Sequence, residues 1–206
     1  MFPRREAIRD ALGALLDDRR YAEITVEDVC ARAGIGREDF ERAYGGLDDV
    51  LLDLYRLGRE QLMSDTLAAF TAAPSWRDGF RASAWATCRY LQSDPRRARI
   101  MLCEMEREGE VVQAERDRGL DLYIELIHSA RLETEDPDSF PRDIAAGIAC
   151  TIWDRINHRV TAGELDRLAE DVPELLHFAL LPYFGPEVAQ EELRRGREMA
   201  RNHRLN

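Results

Sequence analysis

Residues 19–50 read RRYAEITVEDVCARAGIGREDFERAYGGLDDV. Two short stretches with helical apolar spacing flank a tight turn, Ala33-Gly34-Ile35-Gly36. Thr25 opens the first stretch as a helix cap, and Asp28, three residues on, stands in for the usual capping-box glutamate. Val26, Val29, Cys30 and Ala33 fall on its inward side. Gly34 is free to take the left-handed backbone that stops a helix. Phe40 and Tyr44 sit one turn apart on the second stretch and are expected to close a small core. This layout is a helix-turn-helix, whose second helix ordinarily enters the major groove of DNA. Its charge points the other way. Five arginines (Arg19, Arg20, Arg32, Arg37, Arg42) meet eight carboxylates (Glu23, Glu27, Asp28, Glu38, Asp39, Glu41, Asp48, Asp49).

The pattern stays helical on both sides. Ile8, Leu12, Leu15 and Leu16 mark a first helix that ends between Asp18 and Tyr21. Gly45-Gly46 breaks the third helix, and Asp48 opens a long fourth one that ends at Ala72-Ala73-Pro74-Ser75. A fifth runs from about 75 to 91. Ser93-Asp94-Pro95 starts a sixth, with proline just inside it where its missing N–H costs nothing. A seventh covers about 111–132, and residues 133–141 form a loop. Ile144, Ile148, Ile152 and Ile156 then repeat every fourth residue in a helix apolar on several sides, which implies cover on more than one face. The run 175–184 is equally apolar, and a last polar helix spans about 187–200. No strand, repeat or phosphate-binding glycine loop is legible.

Composition sets the bounds. The chain has 206 residues, enough for one domain or two small ones, with 45% hydrophobic and 33% charged residues, as in ordinary globular proteins. A net charge of -11 offers no general attraction to nucleic acid or anionic lipid, and lysine is absent throughout. Cys30, Cys88, Cys103 and Cys150 lack metal or redox spacing and read as buried free thiols, hence a cytoplasmic protein. No signal peptide or membrane span is expected. His128, His158, His177 and His203 have no metal-like spacing, and no activated nucleophile is evident, so neither an enzyme nor a bound cofactor or metal is expected.

The chain resembles the TetR family of transcriptional regulators. The resemblance rests on Ile8, Ala11, Leu12 and Tyr21; on Thr25 to Val29 and Ala31 to Gly36; on Phe40 and Tyr44; and on Leu47 to Leu52. Ser93-Asp94-Pro95 and Leu180 to Pro186 extend it towards the C-terminus. It implies an all-α fold, with a three-helix DNA-binding head over residues 1–46 and a helical ligand-binding and dimerisation bundle over 47–206. It further implies a homodimer that binds a double-stranded, pseudo-palindromic operator as a repressor. A small, mainly apolar effector would release it. The DNA side would be built from Arg4, Arg5, Thr25, Gly36, Arg37, Glu38, Asp39, Glu41, Arg42 and Tyr44. Candidates for the effector site are Phe80, Trp85, Cys88, Met101, Met105, Tyr123, Ile127, His128 and Trp153. The dimer seam would use Ile144, Ile148, Ile152, Leu176, Phe178 and Leu180.

The departures from the family pattern bear on function. Gly36, Asp39, Glu41 and Leu47 stand where the family commonly has Ser, Thr, Tyr and Lys that contact phosphate. Anions facing a polyanion remove bonds and add repulsion. Two readings therefore stay open: a ligand-responsive DNA-binding repressor, or a relative that has lost sequence-specific DNA binding and serves as a ligand- or protein-binding dimer.

Overall fold

The computed structural model describes residues 3–102 and 110–203, and among these the regular structure is entirely helical. Helix α1 (Pro3–Leu15) buries Ile8, Ala11 and Leu12, with Leu16 just beyond its end. These residues recur at three- and four-residue intervals and so share one face. In α2 (Val26–Ala33) the Thr25 hydroxyl accepts from Asp28 N at 3.2 Å, and the Asp28 carboxylate accepts from Thr25 N at 2.9 Å. This reciprocal pair satisfies two otherwise orphaned backbone donors. Gly34, at φ 68°, ends the helix in the left-handed region. Helix α3 (Arg37–Ala43) is anchored by Phe40, with Tyr44 as its C-cap; the two rings lie 6.2 Å apart and are almost fully buried.

Helix α4 (Leu47–Thr71) has 25 residues and is therefore about 37 Å long. It starts under the head and runs into the C-terminal bundle. Ser75 caps α5 (Trp76–Ser93) through Asp78 N, and the four-residue link folds α5 back along α4. Asp94 accepts from Arg97 N at 3.0 Å and starts α6 (Pro95–Leu102). Then follow α7 (Glu110–His128), α8 (Arg142–Thr161) and α9 (Leu168–His203). Gly185, at φ 77°, breaks α9 between Pro182 and Pro186. The expected break between an apolar and a polar C-terminal helix falls there, where the Gly185 backbone is not helical. Trp76 fills the hollow beside it, stacked on Phe80 at 5.0 Å and near Phe184 at 5.9 Å.

The bundle places α5 between α4 and α9, and α8 between α7 and α9. Ion pairs to buried carboxylates pin these contacts. Arg81 meets the fully buried Glu192 at 2.5 Å, joining α5 to α9. Arg56 meets Glu115 at 2.6 Å, joining α4 to α7, and Arg159 meets Asp171 at 2.7 Å, joining α8 to α9. Head and bundle share one continuous apolar core. Helix α6 fastens them further. Arg99 donates to the Leu16 carbonyl at 2.5 Å, and Arg96 Nε donates to Asp17 at 2.7 Å, both just past the end of α1.

One expectation about the thiols is corrected. Cys30 and Cys88 are buried, but Cys150 is exposed, because its side of α8 is the outward one. Cys103 lies outside the described residues. No helix among the described residues is long and apolar enough to cross a membrane.

Candidate functional site

The head and the bundle each present a candidate surface. On the head, α3 turns an exposed face outward that carries Arg37, Glu38, Glu41 and Arg42, and every arginine on it holds a carboxylate. Arg37 bonds Glu41 at 2.8 Å and also Glu27 of α2. Arg42 bonds Asp39 at 3.0 Å and Glu38 at 3.2 Å. Arg4 reaches across from α1 to the same Asp39. Arg5 lies over the Tyr44 ring, 4.4 Å from its centroid. Thr25 donates its hydroxyl proton to Asp28 at 2.8 Å, and Gly36 brings no side chain to the turn. Arg32, exposed at the end of α2, has no ion pair among the described residues.

Tyr44 departs from the expected DNA side. It is 4% exposed, and its hydroxyl donates to Asp53 at 2.5 Å, while Arg9 bonds the same carboxylate at 2.9 Å. The residue that closes the head's core has no free polar end to offer a duplex. The pairs on α3 are mostly solvent-exposed, where such contacts contribute little to stability. They are easily exchanged for other partners.

In the bundle, helices α4 to α9 enclose a cavity of about 120 Å³. Phe80, Cys88, Met101, Tyr123, Ile127 and Trp153, all expected for an effector site, lie together on its wall. Trp85 does not: it is buried elsewhere on α5. His128 also falls outside the wall, with its Nδ1 buried and without a hydrogen-bond partner. Met105 lies outside the described residues. Leu62, Thr66, Ser83, Thr87, Leu120 and Val172 are among the wall residues not foreseen. Leu62 and Thr66 are one turn apart on α4, a spacing that core packing alone also produces.

The wall is chemically plain. Burial pushes the Cys88 thiol up to about 12, so it stays protonated. Burial likewise pushes the Tyr123 phenol up to about 12. Ser83 donates to the Thr66 carbonyl at 3.0 Å, and the Thr66 hydroxyl is turned to the Leu62 carbonyl. Tyr123 Oη is buried, with the Thr66 side chain as its polar neighbour but no hydrogen bond of full geometry.

The seam residues separate. Ile148, Leu176 and Leu180 are at most 2% exposed within their own chain, and Leu176 and Ile152 line the cavity. The isoleucine stripe of α8 is its inner face, already covered by this protomer. Ile144 is half-buried and Phe178 is 42% exposed. The outward stripes of the α8–α9 pair are Gly147, Cys150, Thr151 and Asp154 on α8, and Glu174, Phe178 and Leu181 on α9.

No family model matches the chain, and no curated protein does either. Solved structures do. The fatty acid degradation regulator FadR from Bacillus halodurans superposes with a TM-score of 0.72 at 14% identity, covering 85% of this chain and 96% of that one. A bacterial regulatory protein of the tetR family from Rhodococcus RHA1 gives 0.69 at 13% identity, over 87% and 98% of the two chains. A TetR family transcription regulator from Marinobacter aquaeolei VT8 gives 0.64 at 14%, over 85% and 93%. The fold is TetR-like. The TetR-like assignment covers head and bundle together, since the superpositions take in most of each chain. Among the described residues no group of His, Cys, Asp and Glu is placed to hold a metal ion.

Proposed function

We propose that this protein is a TetR-like transcriptional repressor. It acts as a homodimer whose two heads bind a pseudo-palindromic duplex, and a small apolar molecule in the bundle releases them. The observation that carries this reading is the connection between cavity and head. Met101 and Leu102 of α6 form part of the cavity wall, while Arg96 and Arg99 of the same eight-residue helix grip the end of α1. Helix α4 makes a second connection, through Leu62 and Thr66 at the wall and its packing against α1 in the head. A molecule that displaces α6 or α4 changes the attitude of the head. Two heads must meet half-sites about one helical turn apart or a multiple, so a small tilt changes affinity.

The carboxylates on α3 support a second reading, a TetR-like dimer without sequence-specific DNA binding. Under the first reading, phosphates and bases replace Glu27, Glu38, Asp39 and Glu41 as partners of Arg37 and Arg42. Selection of bound duplexes from a random library at low and moderate salt separates the two. Enrichment of a two-fold symmetric sequence, with binding lost at least tenfold in Arg37→Ala or Arg42→Ala, supports the repressor. No enrichment at either salt concentration supports the second reading.

A further inference from the structure

The wall of the cavity restricts what it can hold. Among its described residues none is charged, so a carboxylate or ammonium entering it would meet no counter-ion among them. Burying an unpaired charge is strongly unfavourable. The polar groups of the wall are largely spent within the protein: Thr66 on Leu62, Ser83 on Thr66, and the Cys88 thiol on Gln92 at 3.4 Å. Tyr123 is the exception: its hydroxyl is buried beside the Thr66 side chain but makes a hydrogen bond of full geometry with neither it nor any other described group. Its phenol keeps its proton far above neutral pH and so offers a donor. The volume, about 120 Å³, is close to the roughly 150 Å³ of a dry apolar cavity that admits benzene. Met101 on one side has a flexible side chain that can adjust the fit.

We propose that the cavity takes an uncharged, ring-sized, mainly apolar molecule bearing one hydrogen-bond acceptor, seated with that acceptor on Tyr123 Oη, and that it rejects the corresponding carboxylate. This rests on the reading of the bundle as an effector site and names the effector's class. A monocyclic ketone or lactone has this chemistry. The donor supplies orientation, and the apolar wall supplies most of the affinity.

The test is calorimetric titration of the full-length protein with cyclohexanone, methylenecyclohexane and cyclohexanecarboxylate. The first two match in size and differ in the acceptor; the third adds charge. In Tyr123→Phe, cyclohexanone should bind about 3- to 10-fold more weakly, the range expected for one net hydrogen bond. Methylenecyclohexane should bind Tyr123→Phe within about twofold of wild type, which also shows that the variant's cavity is intact. The carboxylate should bind neither form. The proposal is overturned if Tyr123→Phe leaves the ketone unchanged, if it weakens ketone and hydrocarbon alike, or if the carboxylate binds wild type as tightly as the ketone. Binding by none of the three removes the effector-site reading and this proposal together. The expected pattern, with no change in duplex binding when the ketone is added, would leave the cavity chemistry standing and remove only the regulatory reading.

Discussion

Thr25 and Asp28 show how much a pair of residues settles alone. Their reciprocal hydrogen bonds start α2, and Gly34 stops it, so the first helix of the reading unit has both ends fixed by three residues. Thr25→Ala should lower stability by about 1 kcal/mol in urea titration, the usual loss for a threonine cap. Asp28 adds a dependence on acid. The Arg19 guanidinium, 3.0 Å away, and then the Thr25 N–H and hydroxyl hold its carboxyl down at about 2. A carboxyl held below its ordinary value stabilises the fold above that value and stops doing so as pH falls through the lowered one. Wild type and Asp28→Asn should therefore differ most above pH 4 in thermal unfolding and converge between pH 4 and 2. The Arg19 contact was not legible in the sequence, whereas the cap, its acidic partner and the glycine stop were, because they are local. Tyr44 was less so. Its place in the apolar period is visible, but the capture of its hydroxyl by Asp53 depends on how α4 packs beneath it.

Among the elements, the interface of α4 and α5 is tight where their connecting turn closes. A Cβ on Gly79 would stand 2.8 Å from the Phe70 carbonyl oxygen and 3.0 Å from its ring. Neither backbone nor packed ring yields easily. Gly79→Ala gains roughly 1 kcal/mol of helix propensity but loses about 2 to overpacking. A net loss of about 1 kcal/mol is expected in chemical unfolding, where an open helical site would show a gain. The isoleucines of α8 show the limit of periodicity. A helix apolar on several sides must be covered on several sides, yet the pattern does not say which cover comes from its own chain. Ile148 and Ile152 turned to the core and cavity, and the outward face went to Gly147, Cys150 and Thr151. The effector candidates were read as apolar bundle positions. Six of them share one wall, while Trp85 and His128 point elsewhere, a matter of helix rotation that spacing alone leaves open.

At the scale of the molecule, the exposed Phe178 and Leu181 lie on the outward stripe of α9. If two copies join along α8 and α9, these residues become buried. Phe178→Glu combined with Leu181→Glu should then give a monomer by sedimentation velocity at micromolar concentration, with unchanged helical circular dichroism. A dimer that survives the double change would place the contact on another face. The all-α architecture and the order of its parts were legible throughout, because helix starts and stops are written locally. The distribution of charge was not. The sequence shows an excess of acid, but only the folded head shows each α3 arginine held by that acid.

Every ion pair described above has a guanidinium on its positive side, since the chain contains no lysine. A guanidinium keeps its charge beyond pH 12, and carboxylate partners hold Arg37 and Arg142 more firmly still. The buried thiol of Cys88 and phenol of Tyr123 also resist ionisation until about 12. These clasps can be undone by adding protons to their acids but hardly by removing them from their bases. The molecule thus has a vulnerable acidic flank and, in the same contacts, almost no alkaline one.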